Sequence, residues 1–63
     1  MENQYVLLTD QSTYFVEYLI GELVLSHSVT KAMVINSFDT AFKFKQMLWS
    51  CCNVTCSVNT YIV

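Results

Sequence analysis

Hydrophobic periodicity changes in the second half of the chain, and that change limits the folds available. From Ser37 to Cys52 apolar side chains recur at intervals of three and four. Ala41, Phe44, Leu48 and then Cys51 or Cys52 form a stripe along one face of an α-helix, and Phe38 extends it toward the N-terminus. From Val54 the interval drops to two. Val54, Cys56, Val58 and Ile62 share one face with Thr60 as the polar exception, while Thr55, Ser57, Asn59 and Tyr61 share the other, the pattern of a half-buried strand. A lone amphipathic helix needs a sheet to cover, and a lone strand needs partners. Both must come from the residues before Ser37.

Those residues supply strands. Gln4 to Asp10 is rich in strand formers and ends in the turn cluster Asp10-Gln11-Ser12; Thr13 to Ile20 then alternates, with Tyr14, Val16, Tyr18 and Ile20 on a wholly apolar face and Phe15, Glu17 and Leu19 on a mixed one. Together they read as a β-hairpin. Gly21, the only glycine, marks a turn or bulge before a short third strand, Glu22 to Ser26. His27 to Ala32 is a connector with room for one helical turn. Ser37 can cap the helix by accepting from a free backbone N–H, and Asp39 in its first turn suits the positive end of the helix dipole. The expected fold is α+β over residues 1–63 as one small domain: an antiparallel sheet made of a hairpin, a short third strand and the C-terminal strand, packed against one helix in the order ββ(β)αβ.

A domain of 63 residues buries only about 60% of the surface its unfolded chain exposes. Its core then supplies roughly 3–5 kcal/mol, so chains of this size lean on disulfides, metal or association. Here 54% of residues are hydrophobic and 13% charged, against about 25% charged in an average soluble domain. So few charges leave apolar surface to be covered by another copy of the chain or by another protein. With Lys31, Lys43 and Lys45 as the only cations and a net charge of -2, nucleic acid is not an expected partner. The acids Glu2, Asp10, Glu17, Glu22 and Asp39 are scattered and name no charged partner either.

The opening MENQYV places an acid where a secretory signal carries basic residues, which makes the cytosol the expected location. Gln46 to Val63 is uncharged, but seven polar residues are spread through it, so a membrane-associated protein is kept only as an alternative. Cys51, Cys52 and Cys56 form C-C-x₃-C; with His27 they could make a three-thiol, one-imidazole metal site, a second alternative. Against it, zinc sites usually bring two short-spaced pairs from separate loops, and Cys56 falls on an apolar strand face where a buried free thiol is the ordinary finding. The odd count and the cytosolic expectation argue against an internal disulfide. His27 has no nucleophile and orienting acid arranged around it, the acids are not paired, and one glycine makes no phosphate-cradling loop. No catalytic residue and no cofactor are expected.

Phe42 and Trp49, seven residues apart, lie on a flank of the helix beside the main stripe. They must either wrap over the sheet edge, the first expectation, or meet a partner. Tyr14, Tyr18 and Tyr61 sit in strands and combine apolar area with a polar tip, so they join Phe42 and Trp49 as candidate interface residues. The run YFVEYLIGELVLSHSVTKAMVINSFDTAFKFKQML, Tyr14 to Leu48, resembles small uncharacterised accessory proteins of phages and prophages of Gram-positive bacteria. The likeness lies in a YFVEY strand, the connector TKAMVINS at Thr30 to Ser37, and the helix start AFKF at Ala41 to Phe44; the cysteine-rich C-terminal strand departs from it. The resemblance implies an accessory or host-takeover protein that acts by binding. The expected function is therefore a non-enzymatic interaction module that forms a homodimer or higher oligomer and binds or inhibits a bacterial protein.

Overall fold

In the computed structural model, which describes residues 3–62, one threonine organises the first turn. Strand β1 (Gln4–Thr9) leads to β2 (Tyr14–Leu19), and the Thr9 hydroxyl oxygen accepts from the backbone N–H groups of Gln11 at 3.2 Å and Thr13 at 3.3 Å. Thr9 is the one buried polar residue among those described, and these bonds satisfy it. A second turn, with Gly21 at φ +76°, leads into β3 (Glu22–Ser26). A 3₁₀ turn at Val29–Lys31 follows, then helix α1 (Phe38–Cys52) and strand β4 (Cys56–Tyr61). The sheet is antiparallel throughout, in the order β3-β2-β1-β4, with α1 across one face. The expected α+β architecture is what forms, including its short third strand.

Helix α1 begins and ends on side-chain and backbone devices. The Ser37 side chain accepts from the Thr40 N–H, and Asp39 sits in the first turn. At the other end Asn53 takes a left-handed conformation (φ 58°), and both its N–H and that of Val54 point at the Leu48 carbonyl. This stop reverses the chain, so that β4 returns along β1 in register from Gln4 opposite Tyr61 to Thr9 opposite Cys56.

Leu7, Phe15, Ile35, Ala41, Leu48 and Cys56 form the core between helix and sheet. Phe15 corrects the expected facing of β2. The β2–β3 register shifts between Phe15 and Glu17, leaving Val16 as the extra residue of a β-bulge. The bulge breaks the two-residue alternation, so Phe15 and Tyr18 both reach the core while Ile20, expected on the apolar face, is fully exposed at the hairpin tip.

The two interior strands barely touch. β1 and β2 pair only at Leu8 and Tyr14, and the connector Met33–Ile35 enters the gap between them. Ile35 exchanges both backbone hydrogen bonds with Tyr5, each 2.8 Å, while Met33 donates to the Phe15 carbonyl at 2.9 Å. A segment that reads as a loop thus acts as a local fifth strand, and it carries the buried Ile35 into the core.

Candidate functional site

The outward flank of α1 carries large apolar side chains where a helix of this kind usually shows charge. Phe38 and Phe42, one turn apart, stack with ring centroids 6.3 Å apart and an interplanar angle of 18°. The Lys45 ammonium lies 5.9 Å from the Phe42 ring centroid, within cation–π reach. Trp49 continues the row. Phe42 is 43% exposed and Trp49 57% exposed, so neither is buried over the sheet edge as first expected.

Beside this row two shallow grooves meet at Gln46. One is lined by Phe38, Asp39, Phe42 and Lys43. The other runs between Lys45, Trp49 and Ser50 on the helix and Val54, Thr55 and Cys56 at the start of β4. Its strand wall carries no charge, and Lys45 is its only charged lining residue. Phe38 is the member of this surface that sequence reasoning assigned to the core stripe. It stands at the stripe's end, in a T-shaped contact with Tyr5. Its i, i+4 spacing from Phe42 was the available signal.

Tyr14, Tyr18 and Tyr61 do not join this surface. Tyr18 packs against the core. Tyr14 and Tyr61 lie with Val6 and Leu8 around a depression on the sheet face away from the helix.

The cysteines divide by burial. Cys51 is exposed, Cys52 partly buried and Cys56 buried, all with free thiols. Burial pushes the Cys56 thiol's pKa up, against a smaller opposing pull from Lys45. His27 is exposed in the connector after β3. Among the described residues no three His, Cys, Asp or Glu side chains converge as a metal site would need, so His27, Cys51, Cys52 and Cys56 are not brought together. Gln46 to Ile62 is divided between the last turns of α1 and β4, and no helix of the described residues is long and apolar enough to cross a membrane.

Comparison with protein-family models, with curated proteins and with solved structures finds no match to this chain.

Proposed function

We propose that the chain is a non-enzymatic protein–protein interaction module whose docking surface is the Phe38–Phe42–Trp49 flank of α1 and the groove beside it. The observation that carries this reading is the exposure of Phe42 and Trp49 together on one helix flank, next to a groove with an uncharged strand wall. Aromatic anchors beside apolar clefts are where binding energy concentrates in protein interfaces. Lys45 beside Phe42 adds one cation to an apolar contact, which suits a partner surface that is apolar with an acidic rim. The resemblance of Tyr14 to Leu48 to phage and prophage accessory proteins makes the partner a bacterial protein, met in the host cytoplasm and inhibited or redirected by binding.

The test uses the wild-type chain and the double variant Phe42→Ala/Trp49→Ala as baits against a bacterial lysate, with circular dichroism to verify the fold. A protein retained by the wild type and lost from an equally folded variant supports the reading. Equal retention by both, or retention by neither, sinks it.

A further inference from the structure

Strand β4 is an edge of the sheet, and its open side can be assigned residue by residue. Tyr5 spends both backbone hydrogen bonds on Ile35, so its pair with Thr60 is of the non-hydrogen-bonded kind. Alternation then turns the backbone groups of Ser57, Asn59 and Tyr61 toward β1 and those of Cys56, Val58 and Thr60 outward. The bond from the Asp10 N–H to the Thr55 carbonyl continues the same alternation.

Edges are normally blunted by charge, proline, bulges or shortness. The opposite edge, β3, is five residues long, begins at Glu22 and lies beside the β2 bulge. β4 is six residues long, has a continuous register with β1, and sits in a stretch from Gln46 to Ile62 without charge or proline.

We propose that β4 pairs antiparallel with β4 of a second copy, about a two-fold axis at Val58, joining two four-stranded sheets into one of eight strands. Charge selects this occupant. A two-fold contact sets each edge against itself, and an edge without charge meets itself with no repulsion. The register opposes Val58 to Val58, Cys56 to Thr60 and Ser57 to Asn59, and it satisfies every outward backbone group of the three residues named above. Carried on, it brings Ile62, which is 85% exposed, opposite Val54 at the mouth of the groove that Trp49 overhangs. Two apolar features that lie apart on one chain meet across the axis. The proposal rests on the interaction-module reading only in taking uncovered apolar surface as a sign of association.

Ser57 and Asn59 are exposed and face away from the helix, so charges can be placed there without entering the core. Sedimentation velocity and amide hydrogen exchange are measured on wild type, Ser57→Lys/Asn59→Lys and Ser57→Lys/Asn59→Asp. The wild type is expected to sediment with twice the mass of one chain, the first variant to lose that doubling, and the second, which sets opposite charges across the axis, to keep it. The amides of Cys56, Val58 and Thr60 should exchange slowly in the dimers and fast in the Lys/Lys variant, while those of Ser57, Asn59 and Tyr61 stay protected in all three. A monomeric wild type, one that binds an added extended peptide included, overturns the proposal, as does a Lys/Lys variant that still dimerises. General loss of protection in the Lys/Lys variant shifts the decision to the wild-type amides: fast exchange at Cys56, Val58 and Thr60 there overturns the pairing, and slow exchange upholds it. Lysate binding that survives in a monomer and still depends on Phe42 and Trp49 leaves the module reading standing when the edge pairing fails.

Discussion

Phe38 and Tyr5 make a T-shaped pair, with ring centroids 5.6 Å apart and an interplanar angle of 77°, and this contact ties the first turn of the helix to the first strand. Aromatic pairs of this geometry contribute about 0.5–1.5 kcal/mol beyond burial. Phe38→Ala removes the pair and the stack with Phe42, so it is expected to destabilise by about 1–2 kcal/mol. Phe42→Ala, which loses the stack but leaves the Tyr5–Phe38 contact in place, should stay within about 0.5 kcal/mol. Urea denaturation of both variants checks the ranking, and equal losses would mean that Tyr5 does not hold the helix start.

Phe15 is 1% exposed and faces the core just before the bulge at Val16. Truncating a buried phenylalanine costs about 3–5 kcal/mol, comparable to the roughly 3–5 kcal/mol that a core of this size supplies. Phe15→Ala should therefore be largely unfolded at room temperature by circular dichroism, whereas Ile20→Ala, at the hairpin tip, should melt like the wild type. A cooperative melt in Phe15→Ala close to the wild-type midpoint contradicts the facing of β2.

Asn53 holds a left-handed conformation at the stop of α1. Asn53→Gly is expected to be neutral or slightly stabilising. Asn53→Val, with a branched side chain that resists positive φ, should cost about 1–2 kcal/mol. Thermal melts of the pair decide, and a valine variant as stable as the glycine one would show that the turn does not demand this backbone.

Thiol reactivity follows exposure, because the thiolate must be both formed and reached. Among the three cysteines, Cys51 should label fastest with a maleimide, Cys52 more slowly, and Cys56 only as the chain unfolds. Peptide mapping of a labelling time course reads the order directly. Rapid native-state labelling of Cys56 would place it outside the core.

Burial raises the pKa of Cys56 above its ordinary value of 9.0, so the folded chain holds this proton more tightly than the unfolded one. The contribution to stability is then full below that ordinary value and is lost as pH rises through the folded value. The melting temperature of the wild type should exceed that of Cys56→Ala near neutrality, and the gap should narrow as the solution is taken from about pH 7 to about pH 10. A gap that is constant or widens over this range would contradict a buried neutral thiol.

Much of the fold was legible in the residues themselves. The Ser37 cap, the third strand at Glu22 to Ser26 and the return of β4 along the earlier strands all follow from local pattern, since capping and alternation are properties of neighbours in sequence. The bulge was not legible. One extra residue within YFVEY has no composition of its own, and it becomes visible only when Leu25 and Val24 are set opposite Phe15 and Glu17. The pairing of Ile35 with Tyr5 was hidden for a related reason: a single bridge is too short to show periodicity. The exposed flank was half legible. Spacing reports the angle of Phe42 and Trp49 around the helix axis, but not how far the sheet extends beneath each turn, and that extent leaves them and Phe38 outside.

The wedge of Met33–Ile35 between β1 and β2 also orders events in time. β1 is synthesised first, yet its lasting partners are Ile35, thirty residues on, and β4 at the far end of the chain. Its own hairpin offers it one paired position, which cannot hold a strand in water. β1 is thus the first strand made and the last secured, and its place in the sheet is fixed only after Tyr61 has been added.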